Sequence, residues 1–159
     1  MVWNTAVLGG AIGNRSFHSD PDVAAAHVKA AVAAIRDAGL LSCAKHFPGH
    51  GSTDIDSHLE LPIVPATLAE LFAADLKPFE AAIVAGVDAI MTAHVLYPNA
   101  GDGALPASLS HYWINDVLRG RLGFDGLVVS DAIEMSALNR YWSAAEAGRH
   151  AILAGSDVV

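Results

Sequence analysis

The sequence predicts a parallel α/β fold of about four strand–helix units, and three observations support this prediction. Short apolar segments alternate along the chain with alanine-rich segments that are bounded by helix caps and glycines. Hydrophobic residues make up 53% of the 159 residues and aromatic residues only 7%, a composition typical of alanine-rich helices packed on buried strands. Charged residues follow the apolar segments, at the edge where parallel α/β folds place their active sites.

Each predicted helix begins at a capping residue or an alanine-rich run and stops near a glycine. The four predicted helices run from Asp20 to Gly39, from Thr67 to about Ala85, from Ser108 or Ser110 to Gly120 or Gly123, and from residue 143 to Gly155. The predicted strands cover residues 40–44, 87–92 and 126–130, with residues 157–159 as the start of a fourth. Strand and helix alternate throughout, so the strands are expected to be parallel with right-handed crossovers.

The length of the chain does not suit a closed barrel, which typically needs about 250 residues. The sequence therefore predicts either half of a barrel or a fold that completes itself by pairing with another copy. A chain that ends at the start of a strand looks cut. An open barrel exposes apolar strand edges, so we expect a homodimer or a complementing chain to cover them, or the isolated chain to be inactive.

Charge and composition exclude several classes of partner. A formal net charge of −8 argues against nucleic acid, which requires a basic face. The sequence contains no run of about eighteen apolar residues, so no membrane span is predicted. The lone Cys43 excludes disulfides and cysteine-rich metal sites. The N-terminus does not resemble a signal peptide, which favours a cytoplasmic location, although a piece of a secreted precursor would look the same.

The segment 45–58, KHFPGHGSTDIDSH, is predicted to be a ligand-binding loop because helices and strands rarely tolerate so many ionisable groups. Lys45 and His46 place two donors side by side, which suits binding of sugar hydroxyls; the alternative is a salt-bridged lysine beside a packed histidine. Arg15 has the same two interpretations, because it either binds the ligand or pairs with an aspartate at the start of the first helix.

Two acidic positions are candidates for catalysis. Asp56 and His58 are separated by one residue, so the carboxylate can bind one ring nitrogen, fix the tautomer and favour an imidazolium that acts as general acid and base. The alternative is an exposed turn histidine. Asp131 follows the strand 126–130, and an ionised carboxylate there can attack an anomeric carbon. Its alternative role is an N-cap for the next helix.

A metal site is another reading of the same loop. Its candidate ligands are His46, His50, Asp54, Asp56 and His58. The spacing of the first two histidines equals that of a helical zinc pair, but a proline and two glycines preclude the helix that this pair requires. We therefore expect no metal.

Four segments together resemble glycoside hydrolase family 3, in its β-N-acetylglucosaminidase branch. They are GNRSFHSDP (13–21), AKHFPGHGSTDIDSHLELP (44–62), MTAHV (91–95) and GLVVSDAIEM (126–135). The resemblance implies a partial TIM-type (β/α)8 barrel and a retaining mechanism without metal or organic cofactor. The resemblance implies that residues 1–159 form a single partial catalytic-barrel domain. Residues 1–12 match the family's sequence poorly.

The resemblance also implies a role for each candidate residue. Asp131 falls on the nucleophile, His58 on the general acid/base and Asp56 on its paired carboxylate. The residues that match the family's sugar-holding positions are Arg15, Lys45 and His46. The implied substrates are cell-wall muropeptides or chitin-type oligosaccharides that end in N-acetylglucosamine, with water or phosphate as acceptor. The alternatives are a β-glucosidase or β-xylosidase of the same family, or an inactive sugar-binding fragment.

Overall fold

The computed structural model describes residues 12–101 and 103–159 and contains a parallel sheet in the order β1-β2-β3. The strands are β1 (Cys43–Phe47), β2 (Ala89–Thr92) and β3 (Leu127–Ser130). Val158 forms a single parallel bridge with Val129 of β3. The predicted parallel α/β architecture is therefore confirmed. The predicted N-terminal segment 1–12 lies, except for Ile12, outside the described residues.

One helix precedes β1, and helices follow each of the three strands. They are α1 (Pro21–Asp37), α2 (Leu68–Ala73), α3 (Lys77–Val84), a π-helix (Tyr112–Arg121), α4 (Ser136–Asn139) and α5 (Ala144–Ala154). Short 3-10 turns cover Gly13–Arg15, His50–Ser52 and Ala107–Leu109. Within the part of the chain that the structure describes, no helix has the length and hydropathy that crossing a membrane requires.

The helix caps predicted at Asp20 and Thr67 are observed. The predicted start of the third helix at Ser108 or Ser110 is wrong, because that element is a π-helix with His111 at its N-cap and no side-chain cap. The Asp20 carboxylate accepts two backbone N–H groups at the start of α1. Reciprocal capping boxes join Thr67 to Glu70 at α2 and Ser143 to Glu146 at α5. These helix starts are set by local hydrogen bonds, which is why the sequence locates them.

The prediction of one helix from Thr67 to about Ala85 is wrong. The structure ends α2 at Ala73 and begins α3 at Lys77. Pro78 lies in the first turn of α3; proline lacks an N–H and its ring clashes with the carbonyl of residue i−4. That residue, Ala74, leaves the helical region with φ −134° and ψ −82°, so the break falls where the proline requires it.

The predicted strand 40–44 is also misplaced. Leu40 and Leu41 are 63% and 83% exposed, and β1 begins only at Cys43, which pairs with Ala89. Just before this pair, the Asp88 carboxylate accepts hydrogen bonds from the backbone N–H and hydroxyl of Ser42 at 2.7 and 3.0 Å. The start of β1 is therefore set by its neighbouring strand rather than by local hydrophobicity.

A bulge in β1 changes the direction of its polar side chains. Lys45 pairs with Met91 and Phe47 with the next residue, Thr92, so His46 is an extra residue in the ladder. Lys45 and His46 therefore belong to the strand itself. The prediction that they follow the strand is wrong. Consecutive residues of a regular strand point to opposite faces, whereas a bulge re-aims a side chain.

Aromatic residues form the part of the core beneath the loop that follows β1. The Trp113 ring packs 5.1 Å from the Tyr97 ring and 6.3 Å from the Phe47 ring, between centroids. Phe79 of α3 packs against Phe47 at 5.4 Å. The buried Tyr97 hydroxyl donates to the Gly49 carbonyl at 2.7 Å, so this loop is anchored to the core at its base.

Candidate functional site

A cavity of about 150 Å³ lies at the carboxyl ends of β1 and β3. The residues lining it are Ile12, Arg15, Lys45, His46, His50, Asp56, Ser57, His58 and Asp131. This list includes all six site residues that the sequence predicted. The cavity is smaller than the roughly 300–1,000 Å³ of most small-molecule sites, so it suits one end of a larger ligand.

Asp131 extends from the end of β3 on a fixed backbone. Its N–H donates to the carbonyl of Thr92 in β2 at 3.1 Å. Its Oδ1 accepts the Ala132 N–H at 2.9 Å, and its Oδ2 lies 3.4 Å from Nε2 of His46. The alternative role as a helix cap is not observed, because α4 begins five residues later with Met135 at its N-cap. One carboxylate oxygen is thus fixed, and the other faces His46 in the cavity.

His46 presents a neutral imidazole to this carboxylate. Burial lowers its pKa far below the usual range of histidine, although the Asp131 carboxylate acts in the opposite direction. Its Nδ1 is buried without a hydrogen-bond partner among the described residues. A neutral ring beside Asp131 can donate one hydrogen bond from Nε2 without neutralising the carboxylate charge.

Asp56 and His58 form a hydrogen-bonded pair at the mouth of the cavity. Nδ1 of His58 lies 2.7 Å from Oδ1 of Asp56, which also accepts the His58 backbone N–H at 2.9 Å. Partial burial alone would raise the pKa of Asp56, but the two hydrogen bonds from His58 lower it overall. An ionised Asp56 fixes a proton on Nδ1 and leaves Nε2 of the 70% exposed His58 side chain for a ligand.

Ser57, between these two residues, is buried and joins the loop to other parts of the structure. Its buried hydroxyl lies 2.9 Å from Nε2 of His50, and its carbonyl accepts the N–H of Ala137 in α4 at 3.1 Å. Burial lowers the pKa of His50. The sequence indicated His50 only as a candidate metal ligand; the structure places it beneath the loop that carries His58.

His94 supports the site, although it is not among the site residues that the sequence predicted. It is fully buried, with Nδ1 2.7 Å from the Ser108 hydroxyl and Nε2 3.0 Å from the Ala132 carbonyl. Since a carbonyl only accepts, Nε2 carries the proton and the hydroxyl donates to Nδ1. Burial lowers the pKa of His94. The neutral ring therefore holds the peptide unit next to Asp131. The sequence signal for His94 was its position two residues after the end of β2.

The two predicted cationic ligands lie on the cavity wall. Lys45 forms no ion pair with a carboxylate of the described residues, so the structure does not show the salt-bridged alternative. Asp22 at the start of α1 pairs with Lys77 at 2.7 Å, and Asp20 caps the same helix, while Arg15 lines the cavity. Among residues 12–101 and 103–159, no group of three His, Cys, Asp or Glu side chains is placed to hold a metal ion.

Comparison with known proteins identifies the family. The family model of the glycosyl hydrolase family 3 N-terminal domain matches residues 4–159. The chain belongs to glycosyl hydrolase family 3. The resemblance that the sequence motifs indicated is therefore confirmed, and so is the partial TIM-type barrel.

Curated relatives in family 3 include bacterial β-hexosaminidases. The Stenotrophomonas maltophilia (strain K279a) β-hexosaminidase is 49% identical over 150 residues, which cover 94% of this chain and 44% of the relative. The Chromobacterium violaceum β-hexosaminidase is 42% identical over 148 residues, covering 93% and 41%. The chain thus spans less than half the length of these family 3 relatives.

Solved structures of family 3 enzymes superpose on nearly the whole chain. NagZ from Neisseria gonorrhoeae, in complex with N-trifluoroacetyl-D-glucosamine, has a TM-score of 0.88 at 40% identity, and the match covers 100% of this chain and 45% of that one. The family 3 β-N-acetylglucosaminidase of Paenibacillus sp. has a TM-score of 0.92 at 41% identity, covering 98% and 30%. These likenesses extend over the strands and helices that position the cavity.

Proposed function

We propose that this chain carries the catalytic centre of a retaining β-N-acetylhexosaminidase. The substrates are cell-wall or chitin-type oligosaccharides with N-acetylglucosamine at the non-reducing end. One observation carries the proposal: the Asp131 carboxylate and the Asp56–His58 pair line the same cavity. The similarity to a β-hexosaminidase and a β-N-acetylglucosaminidase supports the same substrate class.

In the first step, Oδ2 of Asp131 attacks the anomeric carbon while protonated His58 gives its Nε2 proton to the glycosidic oxygen. The bond between the anomeric carbon and that oxygen breaks, and the aglycone leaves as an alcohol. The sugar remains as an ester on Asp131. Asp56 stabilises the imidazolium through its 2.7 Å contact with Nδ1.

In the second step, neutral His58 takes a proton from water, and the oxygen of that water attacks the anomeric carbon. The ester bond to Asp131 breaks, so the carboxylate and the protonated histidine are restored. Two displacements on the same carbon give overall retention of configuration. Lys45 and Arg15 donate hydrogen bonds to the sugar hydroxyls, and His46 supplies a neutral donor beside the nucleophile.

The test of this proposal is release of 4-nitrophenol from 4-nitrophenyl N-acetyl-β-glucosaminide by the purified chain. The wild type is expected to release it, whereas Asp131→Asn reduces kcat by at least about 10³-fold because the nucleophile is lost. Glu134→Gln is the matched control, since it removes an exposed carboxylate three residues along the same segment. Equal loss in both variants contradicts the role of Asp131.

A second measurement separates the enzyme from its alternatives. A 5-fluoro glycosyl fluoride of N-acetylglucosamine is expected to add one sugar mass to the wild type at Asp131, found by peptide mass spectrometry, and none to Asp131→Asn. Faster cleavage of 4-nitrophenyl β-glucoside or β-xyloside indicates the other specificities of the family. A folded chain that binds the sugar but neither cleaves it nor becomes labelled is a binding fragment.

A further inference from the structure

We propose that Arg140 is a positioning residue that fixes His58 relative to Asp131 by tying the loop around His58 to the segment that follows the nucleophile. This inference rests on the proposed function, because it concerns the general acid of that reaction. It assigns a role to an exposed side chain outside the cavity.

Two hydrogen bonds join the loop to this segment, one on each side of His58. The Ser57 carbonyl accepts the Ala137 N–H at 3.1 Å. The Leu59 carbonyl accepts Nη2 of Arg140 at 3.0 Å. Both acceptors are neighbours of His58 in the chain, and both donors lie in α4 or directly after it.

The donor segment is itself closely connected to the nucleophile. The Ala132 carbonyl, next to Asp131, accepts the Met135 N–H at 3.1 Å, and the Met135 carbonyl accepts the N–H of Asn139 at 3.0 Å. The Asn139 side chain also donates to the Glu134 carbonyl. These local bonds make residues 131–140 a short, internally bonded unit, so its hydrogen bonds to the loop set the position of His58 relative to Asp131.

The geometry explains why Arg140 is needed in addition to the Ser57 contacts. The Ser57 hydroxyl and carbonyl anchor the loop only on the N-terminal side of His58. The side chains of His58 and Leu59 are largely exposed, so packing holds them little. A chain anchored at one point can rotate about it, whereas a second anchor at Leu59 fixes the direction of the imidazole.

The test compares Arg140→Met with a matched control, Arg36→Met. Both residues are exposed arginines that donate one hydrogen bond to a backbone carbonyl, at 3.0 Å to Leu59 and 3.2 Å to Ala85. Methionine keeps an unbranched side chain similar to the aliphatic part of arginine but removes the donor. Arg140→Lys keeps a donor and the charge, so it is expected to restore part of any loss.

The activity readout is kcat for a series of aryl and alkyl N-acetyl-β-glucosaminides. Arg140→Met is expected to lower kcat roughly tenfold for poor leaving groups, which need a well-placed acid, and to leave KM and the best leaving groups nearly unchanged. Arg36→Met is expected to match the wild type. A loss that is equal across all leaving groups overturns the inference, because it indicates a merely structural role.

Hydrogen exchange of the loop amides tests the inference without activity. The N–H groups of Leu59 and Glu60 donate to the Asp56 carbonyl at 2.9 and 3.2 Å, and Arg140→Met is expected to increase their exchange rates severalfold, with no increase in Arg36→Met. Unchanged exchange overturns the inference. A wild type that releases no sugar contradicts the proposed function instead, and exchange then decides on the loop contact alone.

Discussion

At the scale of single residues, the site combines one outward histidine with three buried ones. Burial lowers the pKa of His46, His50 and His94, so these rings are neutral donors and acceptors near neutral pH. His58 is exposed and bonded to Asp56. The proposed mechanism therefore assigns proton transfer to His58, whose side chain is the exposed one of these four.

Substitution of the acid tests this assignment directly. His58→Ala is expected to reduce kcat by about 10²–10⁴-fold for poor leaving groups, and much less for 2,4-dinitrophenol, which departs without protonation. The measurement is kcat across a series of aryl substrates. A uniform loss across the series counts against the role of His58 as the acid.

A second residue-scale prediction concerns His94. His94→Phe keeps a ring but removes the hydrogen-bond partner of the buried Ser108 hydroxyl and one of the two donors to the Ala132 carbonyl, which is expected to cost about 1–3 kcal/mol of unfolding free energy. His94→Gln retains a donor and an acceptor and is expected to lose less. Urea unfolding measures both variants; equal losses indicate that ring volume, and not hydrogen bonding, is what matters.

At the scale of the elements, the sequence located helix starts better than strand starts. The caps predicted at Asp20 and Thr67 are local signals and are observed, whereas the helix start predicted at Ser108 or Ser110 is not. The break before Pro78 also has a local cause, the proline itself, but the alanine-rich residues on both sides favour the prediction of one continuous helix. The start of β1 depends on pairing with residues more than forty positions away, which no local pattern contains.

Two glycines that end helices allow a matched test of backbone geometry. Gly123 and Gly155 both have positive φ, at 68° and 112°. A Cβ at Gly123 meets nothing within 4 Å, whereas one at Gly155 lies 2.8 Å from the side-chain nitrogen of Asn115. Gly123→Ala is expected to cost about 1–2 kcal/mol for φ alone.

Gly155→Ala carries a backbone penalty at least as large, because φ 112° lies further from the left-handed region open to L residues, together with a clash. It is therefore expected to cost about 1–3 kcal/mol more. The difference between the two variants in urea unfolding measures the clash together with any additional backbone penalty. Equal free energies of unfolding contradict the close packing between the end of α5 and the π-helix.

At the scale of the whole molecule, the candidate site depends on contacts between distant parts of the chain. The six candidate site residues could be proposed from the sequence because their ionisable groups lie in recognisable motifs. The sequence did not predict that His94 holds the Ala132 carbonyl, 38 positions away, or that Arg140 holds the Leu59 carbonyl, 81 positions away. Such contacts follow from the tertiary fold and have no signature in the spacing of residues.

The buried histidines predict how the stability of the molecule depends on pH. Their folded-state pKa values lie below that of an unfolded histidine, about 6.5, so below that pH the unfolded chain binds more protons than the folded one. Their contribution is thus fully present above about pH 6.5 and is lost as pH falls towards the folded values.

The expected slope is at most about 1.4 kcal/mol per pH unit for each histidine. Urea unfolding between about pH 5 and 7 measures it. His94→Gln removes one of the titrating rings, so its slope is expected to be shallower than that of the wild type. A slope that is unchanged in this variant contradicts a neutral, buried His94.

The aromatic packing beneath the loop after β1 has a practical consequence. The Trp113 indole is 1% exposed and touches Tyr97, the residue that holds the Gly49 carbonyl. Any loosening at the base of the loop brings water to this indole and shifts its emission to longer wavelengths. The chain has two other tryptophans, Trp3 and Trp142. In a variant with both replaced by phenylalanine, fluorescence comes from Trp113 alone and reports, without a label, whether the base of the loop is closed.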